Sequence, residues 1–140
     1  MKKLFFIYLL IVLGVTGKAV AQNATVISLT SDEFKEKVID YMDANAKYKG
    51  TLPAIIDFYA TWCRPCKMLT PVLEELAKEY DGKIVIYKID VDAEKKMAQA
   101  VGIRSMPTLF FFPMDGDPSY VIGYHNKDEM KEIIESVLIK

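Results

Sequence analysis

The sequence predicts an α/β domain in which a mixed central sheet is covered by helices on both faces. Three observations carry that expectation. Short apolar runs rich in strand formers alternate with stretches of helical period, the pattern of a layered α/β fold. The strand run Lys83–Val91 follows a helical stretch, which suits a parallel crossover. The last two strand runs are joined by a turn holding Asp115-Gly116, which favours a hairpin and an antiparallel edge.

In chain order, Gln22–Thr25 is a short polar lead and Val26–Leu29 a first strand. Thr30 with Glu33 forms a capping-box signature, and Phe34, Val38, Ile39 and Met42 recur at helical spacing, so a helix is expected to about Ala44. Asn45–Thr51 is a polar connector. Ala54–Tyr59 is apolar on both faces apart from Asp57, as expected of a strand at the centre of a covered sheet. A helix then runs to Tyr80, with Leu69, Val72, Leu73, Leu76 and Ala77 on one side. Pro71 lies inside it and is expected to kink it, and Asp81-Gly82 ends it. After Lys83–Val91 comes a short helix, Asp92–Val101, stopped at Gly102. The strands Thr108–Phe112 and Ser119–Ile122 follow. Gly123 breaks the second, Asn126 with Glu129 caps, and Lys127–Ile139 closes the chain as an amphipathic helix.

The N-terminus reads as an export signal. Met1-Lys2-Lys3 precedes an apolar run from Leu4 to Leu13 and a small-residue stretch ending Ala19-Val20-Ala21. Residues 1–21 are therefore expected to be a secretory signal peptide cleaved after Ala21, leaving residues 22–140 as one domain. The run is short for a bilayer and Lys18 interrupts it, so an uncleaved anchor is the weaker alternative. With no cysteine at the cleavage site, no lipid-modified N-terminus is expected. The expected location is periplasmic or secreted, with no stable membrane insertion after cleavage. The whole chain carries a formal charge of −1, and losing Lys2, Lys3 and Lys18 brings it to −4. Neither value offers the basic footprint that nucleic acid requires.

The only two cysteines stand in Trp62-Cys63-Arg64-Pro65-Cys66-Lys67, where the central strand hands over to a helix. Pro65 sits in the first turn, where its missing N–H costs nothing. Unpaired N–H groups and the positive dipole end of a helix stabilise an anion, so a thiol there ionises readily. Cys63, first in the turn and expected to be exposed, is the candidate nucleophile. Cys66, one turn further in, is the candidate resolving thiol, and the two-residue spacing brings the sulfurs within bonding reach. Arg64 adds positive charge that favours the thiolate. Half a zinc site has the same spacing, but His125 is the only other soft ligand. A purely structural disulfide would close only a tiny loop and contribute little. Exported chains usually spend cysteines on structural bridges; this one has no pair to spare, which favours a working redox couple.

From Val26 to Ile139 the chain resembles thioredoxin, specifically an exported thioredoxin-like protein. The resemblance rests on Trp62-Cys63-x-Pro65-Cys66-Lys67 and on Gly102-Ile103-Arg104-Ser105-Met106-Pro107-Thr108, which is similar to the family's cis-proline loop. Asp57, Lys88, Pro71 and Gly123 also match the family pattern, whereas Arg64 departs from its usual glycine. The resemblance implies a thioredoxin-like fold and thiol–disulfide exchange with protein substrates. It implies that Asp57 is a buried acid exchanging the Cys66 proton, with Lys88 pairing to tune it. Pro107 is implied to be cis, with the Met106 backbone free to pair with an extended substrate. Trp62 would pack across the motif as an apolar rim, and Gly123 would let substrate backbone approach.

The remaining candidates are weaker. His125 is expected on the surface, and Phe110-Phe111-Phe112 is explained by strand burial. The methionines scatter as core filler and surface rather than as a metal site. No metal and no cofactor are called for, since no flavin, nicotinamide or phosphate-loop pattern occurs, so electrons would come from a membrane or periplasmic donor. The expected protein is a monomeric reductant. An oxidase or isomerase using the same cysteines is the near alternative, and a non-redox chaperone-like binder the distant one.

Overall fold

The computed structural model describes residues 24–140. The expected leader, residues 1–21, lies outside the described residues. The chain runs β1 (Ile27–Ser28), α1 (Ser31–Lys37), β2 (Ala54–Tyr59), α2 (Arg64–Glu79), β3 (Val85–Asp90), α3 (Lys95–Ala100), β4 (Thr108–Phe112), β5 (Ser119–Ile122) and α4 (Lys127–Val137). The five strands form one sheet in the order β1-β3-β2-β4-β5. β1, β3 and β2 are parallel, while β4 and β5 are antiparallel to their neighbours. The mixed sheet flanked by helices is the architecture the sequence predicts.

β2 is the central strand, paired on both sides, and its alternation sorts the two cores. Ala54, Ile56 and Phe58 join Phe34, Val38, Ile89, Met97 and Phe112 on the face covered by α1 and α3. Ile55 joins Leu69, Leu73, Leu76, Ile86, Leu109 and Ile134 on the face covered by α2 and α4. Since side chains alternate along a strand, Asp57 falls on the same side as Ile55, beneath α2. That parity positions the site.

The expected capping boxes form at both helix starts: Thr30 with Glu33 opens α1, and Asn126 with Glu129 opens α4. α1 stops at Lys37, well short of Ala44. Two consecutive β-branched residues, Val38 and Ile39, disfavour continuation. The carboxylates of Asp40 and Asp43 then accept the N–H groups of Met42 (3.1 Å) and Asn45 (2.9 Å), offering the backbone a non-helical partner. The Val38 carbonyl accepts Lys49 N–H at 2.8 Å, which closes the loop, and Met42 stands in solvent instead of on a helix face. α3 also starts later than expected, because the Asp90 carboxylate accepts Asp92 N–H (2.9 Å) and holds a turn there. α2 is assigned without a break past Pro71. Lys127 bonds Glu75 at 3.0 Å and Glu79 at 3.2 Å, and Lys131 also bonds Glu79, tying α4 to α2 on the outer surface. Such exposed pairs are screened by solvent and contribute little to stability; they align the two helices more than they hold them.

Candidate active site

The strand-to-helix handover puts Cys63 at the N-cap of α2, in extended backbone (φ −81°, ψ 114°), with Arg64 and Pro65 as the first helical residues. Cys63 and Cys66 are disulfide-bonded, their Cα atoms 5.3 Å apart. The Cys66 N–H donates to Cys63 Sγ at 3.3 Å, so the sulfur occupies the place of a capping oxygen. No acidic side chain lies in the first turn of α2. An anion on Cys63 therefore meets a free donor and the positive end of a four-turn helix, with no like charge beside it.

Cys63 is not the exposed residue the sequence suggested. It is only 6% exposed and Cys66 only 2%. The cover comes from the other side of the site: Met106 O lies 3.5 Å from Cys63 Sγ, and Ile103 and Met106 pack against the same core cluster. The Met106–Pro107 bond is cis. The loop is held by Thr108 Oγ1, which donates to Ser105 O (2.7 Å), and by Gly123 N–H, which donates to Pro107 O (2.8 Å). Gly123 takes φ +92°, a left-handed value suited to glycine. Thus Cys63, Met106, Pro107 and Gly123 meet at one end of the sheet, while Arg64 and Pro65 are exposed on its rim.

Trp62 is 66% exposed, which excludes core burial, and its indole N–H donates to Asp92 Oδ2 at 2.8 Å. Asp92 was not singled out from the sequence; its position two residues beyond β3 is the only signal that pointed to it. His125 differs from expectation. It is half-buried, with Nε2 enclosed and without a hydrogen-bond partner and Nδ1 3.7 Å from Glu129.

Asp57 is 3% exposed and its Oδ1 has no hydrogen-bond partner. Burial pushes its carboxyl up to about 7, and the Lys88 charge opposes that rise. Lys88 stands opposite Asp57 in the strand register, but no ion pair within 4.0 Å joins them among the described residues. The expected pairing is thus a charge acting across a gap, with the ammonium drawn 5.7 Å from the Tyr59 ring centre. The gap is part of a cavity of about 150 Å3 lined by Asp57, Thr70, Leu73, Glu74 and Lys88. Thr70, four residues beyond Cys66 on α2, also escaped the sequence reading; its i+4 spacing from a cysteine was the available clue.

A carboxyl buried in the strand that leads into the cysteine turn, its pKa pushed up to about 7, is equipped to hold and release one proton near neutral pH. Known proteins resemble this chain in both sequence and fold. A family model described as Thioredoxin matches residues 25–136. A thioredoxin of Borreliella burgdorferi is 46% identical over 110 residues, covering 78% of this chain and 94% of the relative. A thioredoxin of Staphylococcus saprophyticus is 49% identical over 85 residues, covering 60% of this chain and 81% of the relative. Among solved structures, chloroplastic thioredoxin z matches with a TM-score of 0.68 and 26% identity, covering 80% of this chain and 93% of that one.

Proposed function

The chain belongs to the thioredoxin family and is a thiol–disulfide oxidoreductase, and from that premise we propose that it works as a reductant of protein disulfides outside the cytoplasm. The observation that carries the proposal is the Cys63–Cys66 couple at the N-terminus of α2, reached from the strand that carries the buried Asp57 carboxyl. In the reducing direction the Cys63 thiolate attacks a substrate disulfide and releases one substrate thiolate. Cys66 then gives its proton to Asp57 and attacks Cys63 Sγ, which releases the second substrate thiolate and closes the enzyme disulfide. Restoring the dithiol takes two electrons and two protons from a donor thiol pair at a membrane or in the exported compartment. Export is supported by the Lys2-Lys3, apolar and Ala19-Val20-Ala21 sequence of the leader.

Docking of an extended substrate segment against the Met106 backbone, beside Trp62, Pro107 and Gly123, would present a disulfide to Cys63. The oxidising direction draws on one specific observation, the Arg64 charge at the first position of α2. The reduction potential separates the two: a value near or below that of the glutathione pool supports the reductant, and a strongly oxidising value refutes it. Fractionating cells that express the full chain tests the location; a species retained in the cytoplasm with its leader intact would refute export.

A further inference from the structure

The cavity beside Asp57 has no place in the exchange described above, yet among apolar neighbours it gathers the polar residues Asp57, Thr70, Glu74, Lys78 and Lys88. Its inner wall carries an enclosed carboxylate oxygen without a partner, Lys88 stands on the neighbouring strand, and Thr70 lines the same space from α2. Thr70 Oγ1 donates to the Cys66 carbonyl at 3.1 Å, which fixes the hydroxyl over the turn that carries the resolving sulfur. Its lone pairs stay free to accept. About 150 Å3 is room for several waters, and the cavity is lined by a carboxyl from Asp57, an ammonium from Lys88 and a hydroxyl from Thr70 that can partner them.

We propose that Thr70 is a positioning residue for the Asp57 proton. With Lys88, it holds water against the cavity side of the Asp57 carboxyl, making this cavity the route between Asp57 and solvent. The inference rests on the proposed role of Asp57. During resolution Cys66 loses its thiol proton to the Asp57 carboxylate as the new S–S bond forms. The protonated Asp57 then passes that proton to cavity water and on to bulk, where the departing substrate thiolate takes it up. Nothing is oxidised or reduced in the transfer. A threonine hydroxyl bonded to a carbonyl one turn back is commonplace in helices, so the test must separate the hydroxyl from its methyl group.

The test uses the mixed disulfide of reduced protein with thionitrobenzoate on Cys63, in which release of the chromophore follows attack by Cys66. Rates are measured across pH 5–9 in wild type, Thr70→Val, Thr70→Ser and Asp57→Ala, each checked for folding by circular dichroism. Thr70→Val, which keeps the shape and removes the hydroxyl, is expected to slow release about five- to tenfold and move the pH midpoint upward. Thr70→Ser is expected to restore both. Overlay of Thr70→Val on wild type, or equal damage from Thr70→Ser, would overturn the proposal. If Asp57→Ala also leaves the rate and midpoint unchanged, the role of Asp57 itself falls, which separates that failure from the failure of the cavity route.

Discussion

Replacing Asp57 by Asn should change how stability depends on pH, and the structure sets the size of the change. The folded oxidised protein holds the Asp57 proton up to about pH 7, whereas an unfolded chain releases it near 3.8. Between those values the folded state binds more protons, so stability falls as pH rises. The contribution is fully present below about pH 4 and gone above about pH 7. A gap of about three pKa units corresponds to about 4 kcal/mol, a large share of a small domain's total. The residue is 3% exposed, so solvent screening does not dilute the figure. Urea unfolding of the disulfide-bonded protein at half-unit steps from pH 4 to 8.5 measures it. Wild type should lose about 4 kcal/mol relative to Asp57→Asn across that window. The offset from burying an amide is the same at every pH and drops out of the slope. Two parallel curves would show that Asp57 ionises in the folded state as it does in a peptide, and the case for a buried acid would end there.

Three further outcomes follow from the same geometry. Cys66→Ser should trap the mixed disulfide with a protein substrate, visible as a stable adduct on a non-reducing gel; rapid release of substrate would remove Cys66 from the resolving step. Arg64→Gly should lower the reduction potential measured against a glutathione couple, because a positive charge beside the Cys63 thiolate favours the reduced form; an unchanged potential would show that Arg64, exposed to solvent, is screened. Gly123→Ala should cost about 1–2 kcal/mol, since φ is +92° and nothing lies within 4 Å of the added carbon, leaving backbone strain as the whole effect; denaturant unfolding checks it, and no loss would mean the loop relaxes freely.

What could be read in advance follows a physical line. Ala54–Tyr59 was legible because a run of six residues, four of them strong strand formers, between Pro53 and the cysteine motif has few alternatives. Both capping boxes were legible because each is a local bargain between a short polar side chain and the residue three positions on. α1 was overextended because periodicity counts Met42 as core, while Asp40 and Asp43 act through hydrogen bonds that periodicity does not register. The exposure of Cys63 was misjudged for a different reason. Its cover, Met106, is 43 residues away and arrives only when β4 pairs with β2. Thr70 and Asp92 were missed on the same ground, since each gains meaning from a partner across the fold.

The separation between what is local and what is not also divides the chemistry. The thiol that attacks draws on α2 alone: a free N–H, a dipole and Arg64, all fixed by a few consecutive residues. The proton that must be moved draws on the sheet. Asp57 is costly in a central strand, and its orientation toward α2 depends only on strand parity. A shift of register by one residue would turn it to the face of α1 and α3, out of the cavity it shares with Thr70 on α2. An arrangement in which attack survives such a slip and resolution does not explains why the two steps should respond to different mutations. It also makes their separate rates, rather than overall turnover, the informative quantity.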